Sequence, residues 1–140
     1  MLRKTGIGIA VVLGLVLTIA AVTATSNAHF VGTPQLTISG NTVTASGKVA
    51  GLGQVNEILV TVSGDAACIN PGSKKPQAAN KESFSAEGNF PVQNGKALFD
   101  VTLTATFQPD CTPPMSVQWS NLVITVTAVP DDGTFLQFPQ

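Results

Sequence analysis

Tyrosine is absent from this chain, histidine and tryptophan each occur once, and cysteine occurs twice. The histidine shortage excludes most, because a serine or cysteine nucleophile needs a base, normally imidazole, to take its proton. His29 alone gives that class of hydrolase little support. Arginine is confined to Arg3, so the rest of the chain has no planar fork for bidentate phosphate recognition. Charged residues make up only 11%, too few and too dispersed to displace counterions from a phosphate backbone. No nucleic-acid partner is expected. After residue 28 an apolar period of 3.6 residues never persists for three turns, so no helix is expected there.

What the chain does have begins at its first residues. Arg3 and Lys4 precede an apolar run from Ile7 to Val22, and the small residues Ser26 and Ala28 flank Asn27. That is the three-part layout of a secretory signal peptide, with its basic end held on the cytoplasmic side. The small side chains place the cut between Ala28 and His29, with Val22 and Ala24 marking a second site. The alternative is an uncleaved anchor, since Ile7 to Ala24 approaches the roughly 20 apolar residues that span a bilayer. In that case the membrane would be met only through the leader. No cysteine follows the run closely enough to carry a lipid. The expected organisation is a signal peptide over 1–28 and one exported domain over 29–140, a length that suits one domain and not two.

Two of the seven basic residues lie in the leader, which leaves five lysines against eight acids and a formal net charge of −3. Export also decides how the cysteines are read. In an oxidising compartment Cys68 and Cys111 are expected to form one disulfide. It would close a 43-residue loop and, in the chain-entropy model, contribute about 4 kcal/mol by constraining the unfolded chain. A redox-active pair would need close spacing and a nearby base, and neither is present.

From Gln35 onward the dominant pattern is two-residue alternation. Leu36 and Ile38, then Val43, Ala45 and Val49, are separated by Thr and Ser, as in strands with one buried face. Gly40-Asn41 between them suits a two-residue type II′ turn. A connector, Gly51-Leu52-Gly53, leads to a strand over 55–62, with Leu59 on its outward face. Phe84, Ala86, Phe90 and Val92 alternate over 83–92, Gln93-Asn94-Gly95 turns the chain, and Ala97, Phe99, Val101, Leu103 and Ala105 alternate over 96–106 as the expected hairpin partner. In 117–129 the phase changes between Trp119 and Leu122, and a bulge near Ser120-Asn121 would reconcile the halves. The tail from Thr134 reads as an edge strand covering apolar surface such as Leu59, or as a segment used in assembly. Six or seven strands predict an all-β, antiparallel immunoglobulin-like sandwich, with a small closed barrel as the alternative.

The segments Ser46-Gly47-Lys48-Val49-Ala50-Gly51-Leu52-Gly53 and Cys68-Ile69-Asn70-Pro71-Gly72, with a second cysteine beyond the next hairpin, resemble small secreted bacterial β-sandwich proteins of immunoglobulin-like type and uncharacterised function. The resemblance covers most of residues 29–140. It implies a fold and carries over no functional residue, because its motifs are turns and a disulfide. The disulfide departs from the immunoglobulin pattern, since both cysteines read as loop residues.

Candidate chemistry is thin. A terminal His29 could chelate copper through its amine and imidazole, but the second histidine of such a brace is missing. The acids Glu57, Asp65, Glu82, Glu87, Asp100, Asp110, Asp131 and Asp132 occupy outward strand positions or turns, as solvated charges do. Asp131-Asp132-Gly133 lacks the further spaced acids of a calcium loop. Trp119 reads as a core residue, with sugar stacking as the alternative. No metal or other cofactor is expected. The long connection 64–80, with Asn70, Lys74, Lys75, Gln77 and Asn80, would be pinned by the disulfide beside 107–116 as a polar platform. The composition therefore predicts a secreted non-catalytic module that binds an extracellular protein or glycan, with a structural subunit of the envelope or matrix as the alternative. The mass of the exported protein is expected to correspond to a chain beginning at His29; an intact leader would make it an anchored ectodomain.

Overall fold

The alternating apolar and hydroxyl side chains build strands whose inner faces meet across a shared core. The computed structural model of the chain describes residues 27–72, 81–130 and 133–139. Residues 1–26 of the expected leader, the platform residues Lys74, Lys75, Gln77 and Asn80, and Asp131 and Asp132 lie outside the described residues. Among the described residues there are eight strands and no helix: β1 (His29–Phe30), β2 (Gln35–Ser39), β3 (Thr42–Ala50), β4 (Glu57–Ile69), β5 (Lys81–Pro91), β6 (Ala97–Thr104), β7 (Ser116–Val129) and β8 (Thr134–Phe138). The eighth strand, beyond the expected six or seven, is the two-residue β1.

All pairings are antiparallel, in two four-stranded sheets. In the first sheet β6 lies along one flank of β3, from Thr42 opposite Thr104 to Val49 opposite Ala97. β2 and then β1 share the other flank end to end. The second sheet runs β5, β4, β7, β8. Between them sit Val43, Ala45, Val49, Phe99, Val101 and Leu103 from the first sheet and Ile58, Val60, Val62, Ile124 and Val126 from the second, all buried, with Leu52 of the connector closing one end. The polar alternates, such as Thr44 and Thr102 with their hydroxyls 3.4 Å apart, face outward.

Both sequence-predicted turns form. Gly40, with φ of 57°, and Asn41 join β2 to β3 as a two-residue turn. Asn94 and Gly95, with φ of 54° and 75°, make a type I′ turn closed by reciprocal Gln93 and Lys96 backbone bonds of 2.8 and 3.0 Å. The second turn does not make a hairpin, contrary to expectation. Pairing stops at Gln93 opposite Lys96; β5 then pairs with β4 and β6 with β3, in different sheets. The reason is burial: the inner residues of β6 are fully covered only between β3 and the opposite sheet, while Phe84, Ala86 and Phe90 of β5 fill a half-buried edge. Turn chemistry specifies a reversal of direction and leaves open which sheet the chain enters next.

Two further expectations are corrected. β4 does not end near Val62 but continues to Ile69, so the 64–80 loop is shorter than expected and Cys68 is a buried strand residue, not a loop residue. The inward positions are small because Leu122 fills the space beside Gly64, and Phe84, Phe107 and Trp119 the space beside Ala66 and Cys68, which weakens the apolar alternation. The tail does form an edge strand, but Phe135, Leu136 and Phe138 pack on the main core. Leu59 instead lies half-buried between Asn89 and Thr127 of its neighbouring strands.

The bulge falls where the sequence places it. β4 and β7 pair without a break from Glu57 opposite Val129 to Ser63 opposite Val123, and resume with Asp65 opposite Ser120. Asn121, in the left-handed region with φ of 55°, supplies the extra residue. Trp119 and Leu122 thereby both pack on the main core. Truncation of a buried anchor, Ile58→Ala, is expected to cost about 2 to 5 kcal/mol in denaturant unfolding, whereas Leu98→Ala, at a side chain 71% exposed, should stay within about 0.5 kcal/mol of the parent. Equal losses at the two positions would contradict this core.

Candidate functional site

The strand connections gather at two opposite ends of the sandwich. At one end the Cys68–Cys111 disulfide joins the end of β4 to the connection between β6 and β7. The β2–β3 turn is fastened to the same end. Asn41 Nδ2 donates to Ala105 O at 3.2 Å, Ala105 N donates back to Asn41 O at 2.8 Å, and Trp119 Nε1 donates to Gly40 O at 3.1 Å. Trp119 therefore packs its half-buried ring against Phe84 and bonds to the opposite sheet, which is the core role expected of it and not an open stacking platform. Beneath the disulfide, Ala66, Cys68, Ala105 and Phe107 form a small second core, with Met115 Sδ 3.8 Å from Cys68 Sγ. Of the expected platform, Asn70 is exposed and its Oδ1 accepts a 3.1 Å bond from Gly72 N, closing the Asn70-Pro71-Gly72 bend.

On the outer face of the second sheet, Asp65 bridges both neighbours of β4. Ser83 Oγ of β5 donates to one carboxylate oxygen at 2.7 Å, and Asn121 Nδ2 of β7 donates to the other at 2.9 Å. These bonds, Ser83 first and then Asn121, hold the Asp65 carboxyl below the ordinary aspartate range; desolvation opposes them and the nearby Lys81 adds a smaller lowering. A glycosidase acid needs the opposite displacement. This network also fixes Asn121, the bulge residue. The expected bulge pointed to Asn121, but nothing in the alternation pointed to its partner across the strand.

At the other end the connector 51–56 meets the Asn94–Gly95 turn. Leu52 N donates to Gly95 O at 3.0 Å and Val92 N to Asn56 O at 2.9 Å. A polar cleft of about 470 Å³ opens between them, with Gln54, Asn56, Asn94 and Lys96 on its walls and Gly51 and Gly53 on its floor. A second hollow of about 340 Å³ adjoins it across Lys96 and is lined by Lys48, Pro91, Gln93 and Leu98. The sequence pattern places these residues in a connector, a turn and the adjoining strands, 55–62 and 96–106 among them, with no sign of a site; two glycine-bearing turns of opposite sheets are the available signal. A third hollow, of about 430 Å³, lies between the bend at 31–34 and the end of β8 and includes His29. His29 is exposed opposite Ala50, with Nδ1 2.9 Å from Asn27 O. Among the described residues no three His, Cys, Asp or Glu side chains gather as a metal site, and no helix is long and apolar enough to cross a membrane.

The lowered acidity range of Asp65 sets a pH dependence. Its folded-state value lies below its unfolded value, so its stabilisation is full above the ordinary aspartate range and is lost as pH falls through the folded value. Asp65→Asn should therefore lower the melting temperature at pH 7 and flatten its decline between about pH 5 and pH 2; an acid limb identical to the parent would contradict the network. Comparisons of the chain with protein-family models, with curated proteins and with solved structures find no match to any of them.

Proposed function

We propose that this chain is an exported, non-catalytic module of immunoglobulin-like topology that binds an extracellular protein or glycan. The strand order supports this topology. With β2, β3, β4, β6, β7 and β8 taken as A, B, C, E, F and G, the sheets run A-B-E and C-F-G, and β5 adds a flanking strand beside C. Export rests on the leader-like start together with the Cys68–Cys111 bridge, which suits an oxidising compartment.

One observation carries the binding assignment. The B–C connection and the turn between β5 and β6 meet at one end, beside the start of the F–G connection after Val129. The polar side chains there, Gln54, Asn56 and Asn94, are exposed and engage no other described residue. At the disulfide end, by contrast, Asn41, Asn70 and Trp119 are bonded within the protein. Side chains that hold no part of the fold remain available to a ligand.

A second reading, assembly into an envelope or matrix structure, is favoured by the free edges of β2 and β8. Their sequences QLTIS and TFLQF carry no charge, whereas β5 carries Lys81, Glu82, Glu87 and Pro91, the usual protection against edge pairing. Sedimentation separates the two readings. The module is expected to remain a monomer at tens of micromolar, with no turnover in a broad hydrolase screen. Concentration-dependent oligomers abolished by Gln137→Lys would establish assembly instead.

A further inference from the structure

The two adjoining hollows at the Gly51 end share Lys96 as a common wall. Lys48 and Lys96 are two of the three lysines among the described residues, and both line this surface. No aspartate or glutamate lines either hollow, although residues 29–140 carry more acids than lysines. Neither ammonium forms an ion pair among the described residues. The linings of the two hollows thus carry two positive charges and no negative one, with Glu57 opposite Pro91 and Asp100 beyond Leu98 at their margin, and they are electrostatically complementary to a carboxylate.

The remaining walls narrow the ligand class. A carboxamide side chain both donates and accepts hydrogen bonds, as a sugar hydroxyl does, and Gln54, Asn56 and Asn94 present three of them without internal partners. Leu98 and Pro91 supply an apolar surface in the adjoining hollow for the C–H face of a ring, Leu98 being one of the most exposed large apolar side chains among the described residues. Two lysines bind a carboxylate as point charges, as they would a phosphate, so the hydroxyl and ring contacts are what favour a glycan over a polyphosphate. Backbone bonds between Leu52 and Gly95, Val92 and Asn56, and Gln93 and Lys96 hold the cleft walls in place before any ligand arrives, which reduces the ordering cost of binding.

We infer that these hollows form a binding site for an acidic, hydroxyl-rich glycan, with Lys48 and Lys96 holding its carboxylates and Gln54, Asn56 and Asn94 its hydroxyls. The inference rests on the binding-module reading and adds to it the site and the ligand class. Calorimetric titration of the exported protein with galacturonic-acid oligomers, their neutral methyl esters and inorganic polyphosphate tests it. The acid oligomers should bind, and the esters should bind about three- to tenfold more weakly, the scale of one or two exposed charge contacts. Polyphosphate, which has no sugar hydroxyls for the carboxamides and no ring for Leu98, should bind more weakly than the acid oligomers, and added salt should weaken the acid complex. The double variant Lys48→Gln/Lys96→Gln and the single variant Gln54→Ala should each lose about three- to tenfold, with thermal unfolding unchanged. The assignment is overturned if the acid oligomers do not bind, if polyphosphate binds as tightly, or if either variant binds like the parent. The module reading survives all three results and falls only to turnover of a substrate or to assembly in the sedimentation experiment.

Discussion

The rest of the structure depends on the pairing of β4 with β7. Twelve residue pairs join them, and β5 and β8 attach to their outer edges. A strand as long as β7 must keep one face on the core although its apolar alternation changes phase midway, and a one-residue slip turns every later side chain over. Asn121 absorbs that residue, and its Nδ2 bond to Asp65 ties the irregularity to the strand it interrupts. Below the bulge Val117 and Trp119 pack toward the disulfide end, while above it Leu122, Ile124 and Val126 line the main core. A polar contact on the outer face thus accompanies the shift that keeps both apolar sets inside.

The two ends of the sandwich use their polar groups differently. At the disulfide end Trp119 reaches across to the Gly40 carbonyl, Asn41 and Ala105 bond to each other, and Cys68–Cys111 ties strand to connection. Of these, the Trp119 bond to Gly40 joins the two sheets, where the inward residues of β4 are small. At the Gly51 end Leu52, with Val55 and Val92, closes the core, and backbone bonds brace the loops. Structural work done by the main chain leaves the amide and ammonium side chains there uncommitted. On the proposed binding reading, this separation of bracing and display is the device by which rigid β-sandwiches present variable loops.

The sequence was most legible where one local rule governs. Gly40-Asn41 and Asn94-Gly95 announce their turns through the residues that such turns demand, and the broken phase of 117–129 announces its bulge. The disulfide was legible because only two cysteines are present in a chain whose first residues read as an export signal. What escaped depends on partners distant along the chain. Nothing near Asn94 says that β5 and β6 enter different sheets, because that choice is settled by β3 and β4, which each need a neighbour. The small residues Gly64, Ala66 and Cys68 conceal the second half of β4, since the side chains that fill the space, Leu122 beside the first and aromatic rings beside the other two, come from elsewhere. The Gly51 end was invisible as a site for the same reason: its walls come from two connections that become neighbours only after folding.

The most direct test of this account is the strand register across the bulge, read in solution from cross-strand Hα–Hα nuclear Overhauser contacts between β4 and β7. The account predicts one register from Glu57 to Ser63 and a register shifted by one residue from Asp65 to Ile69, with Asn121 at positive φ between them. A single uninterrupted register through Gly64 would contradict it, because Val117 and Trp119 would then face solvent and the two sheets would lose the contacts that close the disulfide end.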